Sequence, residues 1–236
     1  MRRAVNGKVS LTPEIVLAAY AQGIFPMAEA ADDPQVFWMR PRRRGVIPLR
    51  GSGLVPGRGL HVARSLRRTL RRRLTRDGWT LGCDGAFDAV MDGCAARAET
   101  WINAPIRRVF AALHRLGHAH SVELHDPDGA LAGGVYGLAM GGAFFAESMF
   151  SARRDGSKIA LAELVARLEA GGFALLDTQY LTGHLASLGG IEVSDRHYAT
   201  ALAAALVTAA RHDVAFGPAP PDGAFCLGRS GRDQGC

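Results

Sequence analysis

The chain has 236 residues, of which 48% are hydrophobic and 21% charged, the balance of a globular protein that can bury a real core. Its net charge of +6 and pI near 9.6 favour polyanionic partners but indicate nucleic-acid binding only weakly. No apolar run approaches the roughly 20 residues that span a bilayer, and four cysteines without a C-x-x-C pair are too few for a disulfide framework.

The sequence of the N-terminal quarter of the chain indicates a small separate domain. Thr12 followed by Pro13 is a typical helix start, and Gly23 ends that helix. Residues 24–49 indicate loops and short strands, and the Gly-rich segment 51–59 is the best linker candidate. The sequence therefore predicts a small N-terminal domain over 1–56, a main domain over 57–216 and a flexible tail over 217–236.

The sequence of the main domain predicts helices in its first part and mainly strands afterwards. Leucines recur every fourth residue from Leu66 to Leu74, as on one face of a helix. The further predicted elements are helices over 86–96 and 106–116, a hairpin within 120–138, a strand over 144–150, a helix over 157–169, a strand over 173–180 and a helix over 198–211. This order predicts an α/β (α+β) domain with a mixed sheet. The loop 151–158 lacks the glycine spacing of a pyrophosphate-binding loop, which argues against coenzyme A as acyl donor.

A basic helix is predicted directly after the linker, where residues 64–76 read RSLRRTLRRRLTR. A solvated amphipathic helix is the ordinary interpretation of such a face. However, the run contains no acidic partner, and its like charges repel one another unless a polyphosphate relieves them. The sequence favours nucleic-acid contact here. Arg42 to Arg44 either extend this basic patch or form a solvated loop.

Residues 144–180 carry the strongest signal of a functional site. Glu147 interrupts an apolar strand, which is an expensive place for a carboxylate unless it is paired. On the next strand Asp177 and Gln179 are two positions apart, so we expect them to share one face. A turn pair at the end of the strand is the alternative interpretation.

Seven segments of the chain together resemble the leucyl/phenylalanyl-tRNA–protein transferase family. They are YAQGIFPM at 20–27, TWI at 100–102, LGHAHSVEL at 116–124, AESMFS at 146–151, SK at 157–158, LLDTQ at 175–179 and HLASLGG at 184–190. The resemblance implies a GNAT-like acyltransferase fold that transfers Leu or Phe, and also Met, from aminoacyl-tRNA to acceptor proteins with an N-terminal Arg or Lys. It further implies N-degron degradation of the product, no cofactor or metal, no membrane contact, and a cytoplasmic monomer.

The resemblance also implies roles at the reacting centre. Gln179 would contact the attacking amine and Asp177 would orient or polarise it, as the catalytic pair. Because an amide is hardly basic, Asp177 acting through water, or help from the terminal ribose hydroxyl, stays open as the route of the proton. Glu147 would pair with the cationic side chain of the acceptor, with a structural ion pair to a nearby arginine as the alternative.

Two further groups of residues are implied by the resemblance. An aminoacyl pocket would be lined by Val135, Phe144, Met149, Leu161, Leu164 and Leu176. Taken alone, each of these residues is better interpreted as ordinary core, and only the resemblance favours the pocket. The tRNA would be bound by Arg64, Arg67, Arg68, Arg71 and Arg72 at the acceptor stem, with Tyr20 and Trp101 near the terminal adenosine. Met27 stands where many relatives have Trp, so stacking on the adenine could be rearranged, and the Leu-to-Phe preference stays open.

Competing functions are weighed on the same residues. A related enzyme could deliver the amino acid to a peptidoglycan precursor or a small amine, although Glu147 favours a cationic protein acceptor. A non-catalytic tRNA-binding protein would need only the basic helix, which leaves Glu147, Asp177 and Gln179 unexplained. His114, His118 and His120 are interpreted as structural, because no cysteine or paired acid accompanies them.

Overall fold

The computed structural model describes residues 11–50, 54, 58–97, 100–219 and 224–228. Most of the predicted linker and most of the predicted tail lie outside these ranges. Within them, no helix combines the length and the apolar character needed to cross a bilayer.

The described residues form nine helices and nine strands, which are interspersed along the chain. The helices are α1 (Pro13–Tyr20), α2 (Arg64–Thr75), α3 (Phe87–Ala95), α4 (Ala104–Arg115), α5 (Gly156–Ala170), α6 (Gly183–Ser187), α7 (Asp195–Leu206), α8 (His212–Ala215) and α9 (Phe225–Gly228). The strands are β1 (Phe25–Met27), β2 (Phe37–Met39), β3 (Arg43–Ile47), β4 (Thr80–Cys83), β5 (Ala119–His125), β6 (Leu131–Met140), β7 (Ala143–Ser151), β8 (Leu175–Gln179) and β9 (Ile191–Ser194).

A seven-stranded mixed sheet organises the described residues. Its order is β4-β5-β6-β7-β8-β3-β9, in which β7 and β8 run parallel and the other neighbours antiparallel. β1 and β2 form a separate antiparallel pair. The predicted mixed α/β architecture is therefore confirmed, together with the hairpin and the strand–helix–strand that follows it.

β3 links the N-terminal part of the chain to this sheet. It precedes the predicted domain boundary at residue 56, yet it pairs with β8 on one side and β9 on the other. The N-terminal segment thus supplies an internal strand, next to the edge strand β9, to the large sheet. The division into 1–56 and 57–216 itself stays a prediction.

Helices cover both faces of the sheet. Because successive residues of a strand point to opposite faces, each strand contributes side chains to the core on either side. Phe145 packs into a core with α1, α3, α4 and α7, whereas Phe144 packs into a second core against α5. The same alternation separates Leu175 from Leu176. α5 is buried along most of its length, which explains why its apolar pattern covers more than one face.

The helix predicted over 198–211 is shorter at its C-terminal end and begins earlier. Ser194 caps α7 by accepting from the backbone N–H of His197, and the helix ends at Leu206. The Ala-rich pattern continues beyond that point, but the backbone N–H of Gly142 bonds to the carbonyl of Ala205 at 2.7 Å. This tertiary contact satisfies a carbonyl at the helix end, which local propensity alone cannot foresee.

Candidate active site

The candidate site lies where the parallel strands β7 and β8 separate. Their pairing is confined to residues 143–145 and 175–177, although both strands continue beyond it. Each strand also carries an extra residue relative to its antiparallel neighbour, Glu147 opposite β6 and Thr178 opposite β3. Such bulges re-aim side chains and terminate pairing, so the chain opens here and presents Glu147 and Thr178.

Two glycines make these bulges possible. A side chain at Gly137 would meet the carbonyl oxygen of Phe145 at 2.2 Å, beside the bulge in β7. A side chain at Gly45 would meet the backbone of Tyr180 at 2.6 Å, beside the bulge in β8. Only glycine permits backbones to approach this closely.

A cavity of about 880 Å³ occupies the opening. Its wall is mainly apolar, with a few polar side chains, as in a site for a small ligand or part of a larger one. The lining includes Val135, Met149, Leu161, Arg97, Trp101, Glu147, Ser157, Thr178, Tyr180 and His184.

Glu147 is the carboxylate on this wall. Its Oε1 accepts hydrogen bonds from the Tyr20 hydroxyl at 2.7 Å and from Gln179 Nε2 at 2.9 Å, while Oε2 has no partner among the described residues. Burial raises its pKa to about 8, against the smaller lowering effect of those two hydrogen bonds. The expected alternative, a direct ion pair with arginine, is not formed in the described residues. Oε2 is itself buried, so a cationic ligand in the cavity would reach it only after the neighbouring side chains move.

Asp177 is buried behind Glu147 and is saturated by hydrogen bonds. Arg44 donates from Nε to Oδ1 at 2.9 Å and from Nη2 to Oδ2 at 2.7 Å, and Tyr198 donates its hydroxyl to Oδ2 at 2.6 Å. The backbone N–H of Gln179 donates to Oδ1 at 2.7 Å. With 0% exposure, Asp177 has no surface on the cavity, and its action through a water stays a prediction.

Gln179 ends β8 in a left-handed backbone conformation, with φ at +62°. That conformation is uncommon outside glycine and is held here by the bond to Asp177. Its side-chain amide contacts Glu147 and does not line the cavity. The contact between Gln179 and an attacking amine stays a prediction. In the observed arrangement Asp177 bonds to the backbone of Gln179, whose side chain bonds to Glu147.

The expected aminoacyl pocket is only partly on the cavity wall. Val135, Met149 and Leu161 line it. Phe144, Leu164 and Leu176 lie in the hydrophobic core on the α5 side of the sheet, where each is 1% exposed or less. These three support the wall from behind.

The two residues expected near the terminal adenosine, Trp101 and Tyr20, differ in whether they face the cavity. Trp101 lines the cavity and is half-buried. Tyr20 is fully buried, its ring packs edge-on against Phe145, and its hydroxyl binds Glu147. In this arrangement the Tyr20 ring has no free face on which a base could stack.

The basic helix α2 presents most of its arginines to solvent. Arg64, Arg68, Arg71 and Arg72 are exposed, and Arg67 is half-buried. Arg72 pairs with Asp77, and Arg73 lies over the ring of Trp79. A second cavity of about 540 Å³ beside α2 is lined by Arg68, Arg72, Arg73, Arg154 and Lys158, with Asp155 as its acidic member.

Sequence reasoning missed several residues in and behind this site, and Arg44, Thr178, His184 and Tyr198 show why. Arg44 was assigned with its neighbours to a basic patch or a solvated loop; this is wrong for Arg44, whose side chain is 1% exposed. The signal was Asp177 itself, because a buried carboxylate needs a partner. Thr178 and His184 reach the cavity through a bulge and a short helix, and Tyr198 reaches the buried Asp177 through tertiary packing. These are features that periodicity does not encode.

The three histidines considered for metal binding do not form a cluster. His114 stacks on Phe87, and His120 stacks on Phe216 and bonds to Asp84. In the parts of the chain that the structure describes, no three potential ligand side chains come together.

Fold and cavity together define a mixed α/β protein with an enzyme-like site for a ligand that has an apolar part and a cationic or hydrogen-bonding part. A family model described as leucyl/phenylalanyl-tRNA protein transferase matches residues 54–203, and the model of that family's N-terminal domain matches residues 10–42. The chain is 55% identical to a leucyl/phenylalanyl-tRNA–protein transferase of Ruegeria pomeroyi over 86% of this chain and 90% of the relative. It is 50% identical to the Cereibacter sphaeroides protein of the same name over 94% and 96%. The chain therefore belongs to the leucyl/phenylalanyl-tRNA–protein transferase family, a family of aminoacyltransferases.

Proposed function

We propose that this protein transfers Leu or Phe, and also Met, from aminoacyl-tRNA to the N-terminal Arg or Lys of acceptor proteins. The observation that carries this proposal is Glu147, a carboxylate that lines a largely apolar cavity and whose buried Oε2 has no partner among the described residues. Family membership supplies the transfer of an aminoacyl group, and Glu147 supplies a reason for a cationic acceptor.

The apolar wall suits the side chains of the transferred amino acids. The side chains of Leu, Phe and Met are similar in size and have no strong hydrogen-bonding group, so selection among them rests on shape. Val135, Met149 and Leu161 provide such a surface, and the flexible thioether of a methionine adapts to more than one side chain. Because one methylene in an apolar pocket is worth only about 1–3 kcal/mol, relaxed selection between Leu and Phe is expected.

Glu147 would bind the guanidinium or ammonium group of the acceptor's first residue. Tyr20 and Gln179 hold its Oε1, and we expect ligand binding to move the neighbouring side chains so that the buried Oε2 meets the cation. Arrival of a cation in this buried place favours the ionised carboxylate, so binding and loss of the Glu147 proton are coupled. Asp177 and Gln179 act here as positioning residues.

The tRNA would lie across α2 and reach the cavity with its 3′ end. The exposed arginines of α2 contact phosphates without reading sequence, which suits an enzyme that accepts more than one tRNA. Trp101, on the cavity wall, is the candidate for stacking on the terminal adenosine. We further propose that the reaction needs no cofactor, that the product is marked for N-degron degradation, and that the protein acts as a cytoplasmic monomer.

The test is a transfer assay with defined donors and acceptors. Purified protein is incubated with Leu-, Phe- or Met-charged tRNA and with peptides that begin with Arg, Lys, Asp or Ala. Mass spectrometry then detects the addition of one residue. We expect addition to the Arg and Lys peptides. Addition to none of the peptides, with tRNA still bound, would contradict the proposal and favour another acceptor or a role in tRNA binding alone.

A further inference from the structure

The proposed reaction moves a proton, and the residues so far described do not carry it. The α-amine attacks as its neutral form, and the new C–N bond leaves a positive nitrogen that must lose a proton. When the ester C–O bond breaks, its electron pair goes to a ribose oxygen, which must gain a proton. Asp177 is poorly placed to carry it, because both of its carboxylate oxygens are occupied by donors and its side chain has no surface on the cavity.

His184 is the imidazole on the wall of the same cavity. It lies on α6, which Thr182 caps, five residues beyond the end of β8. The ring is exposed and lines the cavity with Glu147 and Thr178. Glu147, the carboxylate of this wall, is already committed on Oε1 to Tyr20 and Gln179, and its Oε2 is the proposed place of the acceptor's cation.

The surroundings of His184 favour the neutral imidazole, which is the form that accepts a proton. Partial burial and then the charge of Lys158 on α5 lower its pKa. The other charged or titratable groups on the cavity wall are Arg97, Glu147 and Tyr180. A neutral imidazole near the reacting ester can take a proton and return it within one turnover.

We propose that His184 is the catalytic residue that carries the proton from the attacking amine to the ribose leaving group, an inference that rests on the proposed transfer reaction. The amine nitrogen forms the bond to the carbonyl carbon, and its surplus proton moves to the imidazole. The imidazolium then donates that proton to the ribose oxygen as the ester C–O bond breaks. The products are the amide and the free ribose hydroxyl, and the imidazole returns to its neutral form.

The test compares His184→Ala with His197→Ala, which removes an exposed histidine of α7 away from the cavity. Single-turnover transfer is measured at saturating Phe-tRNA and Arg-peptide, together with the Kd for tRNA and the KM for peptide. We expect the rate of His184→Ala to fall about 100-fold, the lower range for loss of a general acid–base, with Kd and KM unchanged. Added imidazole should restore part of the rate, because the cavity can admit it. His197→Ala should transfer normally.

Three results would overturn the inference: an unchanged rate in His184→Ala, a loss confined to Kd or KM, and a slowed variant that imidazole does not rescue. The wild-type protein separates this failure from that of the proposed function. Transfer by the wild type with any of those results overturns only the role of His184, whereas a wild type that transfers nothing overturns both.

Discussion

Arg44 and Asp177 form a buried two-point ion pair directly behind the cavity. The two side chains are 1% and 0% exposed, and the pair joins β3 to β8. Arg44 is also held between the rings of Phe25 and Tyr198, at 4.7 and 4.6 Å from their centroids. The N-terminal part of the chain is thus tied to the strand that ends at Gln179, and the placement of Glu147 depends on this tie.

Loss of Arg44 should therefore destabilise the protein strongly. Arg44→Met leaves the Asp177 charge buried and unpaired, which costs roughly 3–5 kcal/mol of the free energy of unfolding. Arg43→Met is the matched control, because the neighbouring Arg43–Glu192 pair is largely exposed and is worth about 1 kcal/mol at most. Urea unfolding of both variants measures the difference. Equal losses would contradict the importance assigned to the buried pair.

The stability of the protein should depend on pH through Glu147. Its pKa is about 8 in the folded protein, above its ordinary value of 4.5. The folded state therefore holds a proton that the unfolded state releases, so the free energy of unfolding falls as pH rises from about 4.5 to about 8. Glu147→Gln removes this dependence. We expect the Tm of the variant to gain on that of the wild type as pH rises from 5 to 9.

The difference between the two Tm values isolates Glu147, because the remaining titratable groups are shared by both proteins. A Tm difference that stays constant between pH 5 and pH 9, or that changes in the opposite direction, would show that Glu147 is ionised in the empty site.

Leu161 and Leu164 on α5 allow a residue that lines the cavity to be compared with one that packs behind its wall. Both are 1% exposed, but only Leu161 lines the cavity. Each change to Ala should cost roughly 2–5 kcal/mol of stability. Leu161→Ala widens the wall and should raise the ratio of kcat/KM for Phe-tRNA over Leu-tRNA by roughly tenfold. Leu164→Ala should leave that ratio unchanged, and an equal change in both variants would place the aminoacyl side chain elsewhere.

Removal of arginines from α2 should change the salt dependence of tRNA binding. Arg64→Gln and Arg68→Gln should each reduce the slope of log Kd against log salt concentration by roughly 0.7–0.9, as expected for one lost phosphate contact. Arg115→Gln removes an exposed arginine of α4 and should leave the slope unchanged. Filter binding between 50 and 300 mM salt, about the range in which such contacts are screened, measures it. Equal slopes in all the proteins would contradict tRNA contact along α2.

The sequence predicted the elements of this fold because their signals are local. The hairpin around residues 126–129 and the strand–helix–strand over 143–179 follow from turn residues and from periodicity. The placement of β3 between β8 and β9 was not predicted, since strand order depends on pairing between residues more than a hundred positions apart. The end of α7 at Leu206 was missed for a similar reason.

The site was predicted as a set of residues but not as an arrangement. Glu147, Asp177 and Gln179 do lie in one network, as two strands with polar interruptions suggested. Simple alternation placed Asp177 and Gln179 on one face, yet the bulge at Thr178 and the positive φ of Gln179 change the direction of the chain there. A bulge is specified by close packing, here at Gly45, which the strand pattern does not reveal.

The central claim is that Glu147 binds the cationic side chain of the acceptor. It is tested most directly by the ratio of kcat/KM for two peptides that differ only in an N-terminal Arg or its neutral isostere citrulline. We predict that the wild-type protein prefers the Arg peptide by at least tenfold, about 1.4 kcal/mol, and that Glu147→Gln lowers the ratio to near one. A ratio that Glu147→Gln leaves unchanged would contradict the account.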